Sequence, residues 1–107
     1  MVNQGDIIIL NFDPQSGHEQ KGRRPALVVS NNKFQKYFSD NSIICPITST
    51  IRNWKSHLII PKGLKTKGSV MCEQLKFADL YSRKYRLVEK VPEDFLDEVL
   101  NVVSMFF

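Results

Sequence analysis

Phosphate chemistry is what the side chains of this sequence are best equipped for, and the residues that suit it gather in one stretch. Residues 17 to 30 read Gly-His-Glu-Gln-Lys-Gly-Arg-Arg-Pro-Ala-Leu-Val-Val-Ser, so a polar, cationic segment runs directly into an apolar, β-favouring one. Gly17 and Gly22 tolerate positive φ, Pro25 pushes Arg24 toward extended backbone, and Ala26 to Val29 supply the strand. Arg24 is thereby aimed from a rigid element. A guanidinium offers a planar fork of donors that matches phosphate oxygens, and a threonine hydroxyl adds a donor without competing as a strong nucleophile. Such a set suits a substrate that brings its own nucleophile, as RNA does with a 2′-hydroxyl beside each phosphate. The protein then has to align the groups, stabilise the extra negative charge and manage two proton transfers. On these residues alone, an ordinary surface loop with hydrated arginines is an equal reading.

Other chemistries find less support. His18, His57, Cys45 and Cys72 lack the close pairings of zinc sites, and the carboxylates are not clustered for Mg²⁺, so neither a metal nor another cofactor is expected. No nucleophile elbow is present, and two scattered histidines do not specify a base. Cys45 and Cys72 both lie in apolar runs, which predicts free, buried thiols.

The net charge of +4 understates an asymmetry. All fifteen Lys and Arg fall between Lys21 and Lys90, where only Asp40, Glu73, Asp79 and Glu89 oppose them, so that segment carries +11. A polyanionic partner follows, nucleic acid being the commonest. The 42% hydrophobic and 24% charged composition is that of a globular chain, and 107 residues predict one domain, 1–107, with a core small enough to favour dimerisation. No stretch is long and apolar enough for a membrane span, and the opening Met-Val-Asn-Gln-Gly-Asp lacks the regions of a signal peptide, so the cytoplasm is expected, with no membrane partner.

The elements that must position Arg24 read as mainly β with α. Six strands are predicted, over Asp6–Phe12, Ala26–Ser30, Ser42–Thr48, Ser56–Ile60, Ser69–Leu75 and Arg86–Val91, with helical turns over Asn31–Phe38 and Phe77–Tyr81. Phe95, Leu96, Val99, Leu100, Val102, Val103 and Phe106 recur at helical spacing, with Pro92 at the first helical position and Glu93 and Asp94 in the first turn. Turn signals between these short runs fit an all-β barrel or sandwich, with a C-terminal helix docked on it or on a second subunit.

Three blocks, in order and at matching spacing, carry a resemblance: Gly-Asp-Ile-Ile-Ile-Leu-Asn-Phe-Asp-Pro from Gly5, the stretch from Gly17, and Cys-Pro-Ile-Thr-Ser-Thr from Cys45. The chain resembles the MazF/PemK toxins, and the likeness continues through Gly-Ser-Val-Met-Cys-Glu-Gln-Leu from Gly68 to the terminal helix. The resemblance implies an SH3-like barrel of the MazF/CcdB-like toxin fold, a homodimer, and metal-independent cleavage of single-stranded RNA. It also implies a cognate, MazE-like antitoxin laid along the dimer. Carried onto this sequence, the catalytic arginine before proline is Arg24 and the threonine ending the third block is Thr48. Glu19, Gln20, Lys21 and Gly22 belong to the active-site loop, and Gln74 lies where the family contacts RNA. A guanidinium is a poor base, so electrostatic stabilisation is the role expected of Arg24, with Glu19 a candidate acceptor for the 2′-hydroxyl proton. Arg23 is either a phosphate contact or merely hydrated.

Base selection is expected from the loops Ser49–Lys55 and Lys62–Gly68, where Ser49, Arg52, Lys55 and Trp54 combine donors, charge and an aromatic face. Trp54 either stacks on a base or packs down on the barrel. A different class of function also fits this fold: a non-catalytic module that binds nucleic acid or protein, as the related gyrase-poisoning toxins do. Those proteins lack the Glu-Gln-x-Gly-x-Arg-Pro loop and end in a Trp-containing tail, whereas this chain has the loop and ends Ser-Met-Phe-Phe.

Overall fold

A computed structural model describes residues 2–12, 22–38 and 41–107 of the chain. Strands β1 (Asp6–Asn11), β2 (Arg23–Val28), β3 (Asn41–Thr48), β4 (His57–Ile59), β5 (Ser69–Met71), β6 (Lys76–Asp79) and β7 (Arg86–Lys90) form one antiparallel sheet. Its order is β4-β5-β3-β2-β1-β7, with β6 also paired to β3. Helix α1 spans Asn32–Tyr37 and helix α2 spans Glu93–Ser104.

The run Ile7-Ile8-Ile9-Leu10 is apolar throughout because both faces of the sheet are covered, as successive side chains of a strand point to opposite sides. Ile7 packs with Leu27, Cys45, Val70, Phe95 and Val99 in one cluster. Ile8 and Leu10 pack with Ala26, Val28, Ile44, Ala78 and Leu80 in another. The register changes between Ile7 and Ile8, which pair with Glu89 and Leu87, so Val88 is an extra residue on β7. Helix α2 closes the first cluster by burying Phe95 and Val99. On the other side, the buried Gln35 of α1 accepts from the hydroxyls of Ser30 and Ser42 and donates to the carbonyl of Val2. That network satisfies a polar side chain which burial would otherwise penalise.

Four expectations are corrected. Phe77–Tyr81 is not a helical turn: Lys76–Asp79 forms β6, paired with Asn41–Ile44, followed by a turn. Ser69–Leu75 is not one strand, because β5 ends at Met71 and Cys72–Gln74 winds into a 3₁₀ turn. Strand β2 begins at Arg23 rather than Ala26, so Arg24 lies within the strand. Pro92 caps α2 in extended conformation instead of occupying its first turn, and the helix ends at Ser104, before Phe106. The remaining strands, α1, and the buried free thiols of Cys45 and Cys72 agree with the sequence reading. Burial, chiefly, pushes these thiols up to about 12 and about 11.

Candidate active site

Two prolines open the site. Strand β2 pairs with β3 at Val28↔Ile44, Leu27↔Cys45 and Ala26↔Pro46, and there the ladder stops. Pro25 has no N–H to continue it. Strand β3 goes on to pair with β5, at Ile47↔Val70 and Thr48↔Ser69. The two strands diverge there, and the same antiparallel register carried two residues further sets Arg24 across from Thr48. A cleft of about 360 Å³ occupies the fork, lined by Arg24, Pro25, Ile47, Thr48, Ser49, Thr50 and Lys67.

Among the described residues that line this cleft, the two charged groups, Arg24 and Lys67, are both cations. Arg24 is exposed while its neighbours from Ala26 onward are buried, so the guanidinium projects from a fixed backbone. The Thr48 hydroxyl accepts a hydrogen bond from the Thr50 amide at 3.1 Å. With its oxygen so engaged, the hydroxyl hydrogen remains available to donate to a ligand.

Lys67, which sequence reasoning placed only within a loop, reaches the cleft through two devices. Gly68 has φ +123°, and a Cβ there would lie 2.1 Å from the Thr48 carbonyl oxygen. Only glycine permits the approach of the Lys67–Gly68 backbone to the end of β3. Glu89 of β7 then fastens the loop, accepting from the Lys65 amide at 3.0 Å and from the Thr66 amide and hydroxyl at 2.8 and 2.7 Å. Desolvation would raise the Glu89 pKa, but these hydrogen bonds prevail and hold it below the ordinary carboxylate value.

Of the residues expected at the site, Arg24, Thr48 and Ser49 meet in the cleft. Glu19, Gln20 and Lys21, with Gly17 and His18, lie outside the described residues. Gly22 is buried, and its carbonyl accepts from the Phe12 amide at 2.6 Å, closing the neck of the intervening segment. Arg83 reinforces that neck by donating to the carbonyls of Asn11 and Phe12 at 2.9 and 2.8 Å. Arg23 donates to the Lys84 carbonyl at 3.3 Å, which gives it a structural partner.

Arg52, Trp54 and Gln74 do not line the cleft. Trp54 is 51% exposed, the rest of its surface being covered by neighbours. The Arg52 guanidinium carbon sits 5.3 Å from its ring centroid, and the His57 ring lies 4.8 Å away on centroids. Gln74 is exposed on the 3₁₀ turn, next to Glu73, whose carboxylate meets His57 Nε2 at 3.0 Å.

Comparison with known proteins matches this arrangement to a family. A family model described as the PemK-like, MazF-like toxin of type II toxin–antitoxin systems matches residues 3–107. Endoribonuclease PemK of Escherichia coli is 31% identical, the match covering 96% of this chain and 80% of that protein. Crystal structures of MazF and of MazE–MazF from Deinococcus radiodurans superpose with TM-scores of 0.84 and 0.82 at 32% and 27% identity. Each covers 98% of this chain, and the matches span 94% and 93% of those chains. The barrel-like sheet with its C-terminal helix is the fold of those toxins, and the chain belongs to the PemK-like, MazF-like toxin family of type II toxin–antitoxin systems.

Proposed function

We propose that this chain is a toxin endoribonuclease that cuts single-stranded RNA, messenger RNA included, in the Arg24–Thr48 cleft, and that a cognate MazE-like antitoxin neutralises it. The observation that carries the proposal is the convergence of Arg24, Thr48 and Lys67 on one cleft. A phosphodiester seated there has its non-bridging oxygens against the Arg24 guanidinium and the Lys67 ammonium. The Thr48 hydroxyl donates to a phosphate oxygen. As the 2′-hydroxyl of the substrate attacks phosphorus, the phosphate gains negative charge, and these donors are already aimed at it. The P–O5′ bond breaks and the departing 5′-oxygen takes a proton from water, leaving a 2′,3′-cyclic phosphate on one fragment and a 5′-hydroxyl on the other. Glu19 takes the 2′-hydroxyl proton in this scheme. No metal ion is required by it.

Gln20, Lys21, Gly22, Ser49 and Arg52 hold the RNA backbone beside the cut, while Trp54 and Gln74 meet the flanking bases. The chain works as one domain over 1–107, as a homodimer, in the cytoplasm, where messenger RNA cleavage stops translation and growth. The test is incubation of a long RNA with purified wild type and Arg24→Ala in EDTA, the cut ends being mapped by sequencing. Discrete fragments from wild type and none from a folded Arg24→Ala dimer are expected. Cleavage by the variant contradicts the assignment, and a gel shift without cutting favours a binding module.

A further inference from the structure

Beside the cleft, four side chains form a continuous arc that the phosphate chemistry does not use. The segment leaving Thr48 carries Arg52 over Trp54, Trp54 rests against His57, and His57 bonds Glu73 on the 3₁₀ turn. His57 is the hidden member, its side chain only 1% exposed, whereas that of Glu73 is 28% exposed and Trp54 is half-exposed. Among the described residues Nδ1 of His57 has no partner, so the ring makes its one hydrogen bond through Nε2. The imidazole therefore fixes the carboxylate and the indole relative to one another. It is not needed to join the elements, because β4 and the 3₁₀ turn are already tied by the Met71↔His57 pairing and the Cys72 amide on the Ser56 carbonyl at 3.0 Å.

We propose that His57 is a positioning residue which locks Trp54 and Glu73 into a base-reading subsite that takes a nucleobase bearing an exocyclic amino group. The proposal rests on the reading of this chain as an endoribonuclease. Trp54, half-exposed beside Arg52, supplies the aromatic surface on which a splayed base stacks. Glu73 is one of only four acids in the basic segment of the chain, an unfavourable neighbour for phosphate and a good one for an amine. Desolvation works to raise its pKa, but hydrogen bonds from His57, Ser56 and its own amide outweigh that, so it stays an ionised, acceptor-only carboxylate at neutral pH. Such a group accepts from adenine N6 or cytosine N4, and it repels the O4 carbonyl of uracil.

The experiment is cleavage of a randomised RNA pool, read by sequencing, with wild type, Glu73→Gln, His57→Leu and His57→Gln. Wild type is expected to disfavour uracil at one position flanking the cut by about tenfold, the worth of one charge-assisted hydrogen bond. Glu73→Gln, whose amide can donate to O4, loses that preference, and so does His57→Leu. His57→Gln, which keeps a donor, retains most of it. In a Glu73→Gln background, His57→Leu has no further effect on base choice. An unchanged preference in Glu73→Gln overturns the proposal, and this holds even where His57→Leu fails to fold. Wild type that does not cut at all contradicts the endoribonuclease reading, which is a distinguishable outcome.

Discussion

Thr48 and Trp54 lie six residues apart, yet different forces position them. Thr48 is placed by backbone: β-ladder register fixes it against β5 and across from Arg24, and a glycine seals the contact with the Lys67 loop. Trp54 is placed by side chains, resting on a buried histidine and sharing it with a carboxylate. The first arrangement gathers positive charge at the proposed phosphate site. The second sets an acid and an aromatic ring beside one another at the proposed base-reading subsite. A loop held by side chains can exchange its readers without disturbing the strands, so selectivity can change while the phosphate chemistry stays.

Substitutions break this contrast to different degrees. Arg24→Ala removes the main charge-stabilising donor and is expected to lower the cleavage rate by about 10³-fold. Its melting temperature should match wild type within a few degrees, since Arg24 is exposed. Gly68→Ala attacks the backbone side of the comparison: the added carbon meets the Thr48 carbonyl at 2.1 Å with φ at +123°, and denaturant titration should show a loss of about 2–3 kcal/mol. Thr48→Val keeps the shape without the donor and should cost about 10²-fold in single-turnover rate, with Thr48→Ser restoring most of it. Lys67→Ala should weaken RNA binding about tenfold and make the dependence of log affinity on log salt shallower by about one.

The smallest effect concerns the clasp at Glu89. Its carboxyl has a lower pKa in the fold than the ordinary 4.5, so the stability it contributes is present above that value. It is lost as pH falls through the lowered, folded value. Glu89→Gln should therefore narrow the difference in melting temperature between neutral and acid pH. An unchanged pH profile would mean that the loop carrying Lys67 is held by other contacts.

The sequence exposed the parts of this site that are local. Arg24 before Pro25, followed by an apolar run, announces a cationic side chain at the start of a strand. What Pro25 does to the β2–β3 ladder was not legible, because it depends on which strand lies alongside. Lys67 is one of five lysines from Lys55 to Lys76, and nothing in its neighbours marks it out except Gly68, whose meaning appears only against Thr48. Ser69–Leu75 read as one strand because Val70, Cys72 and Leu75 are all apolar, whereas the burial of Cys72 is met by a 3₁₀ turn. Phe77 misled in the opposite direction: it is 54% exposed on a four-residue strand, where no alternating pattern has room to appear. His57 and Glu73 are distant in sequence, and although Glu73 stands in the block from Gly68, nothing there announced its pairing with His57.

In the proposed reaction the cleft supplies donors and the substrate supplies the nucleophile. A single 2′-deoxy substitution in an RNA oligonucleotide, placed on the nucleotide 5′ to the mapped cut, tests it most directly. With wild-type protein in EDTA, the all-ribose oligonucleotide is expected to be cut to a 2′,3′-cyclic phosphate end while the substituted one stays intact but still binds. Cutting of the 2′-deoxy oligonucleotide at the same bond would contradict it.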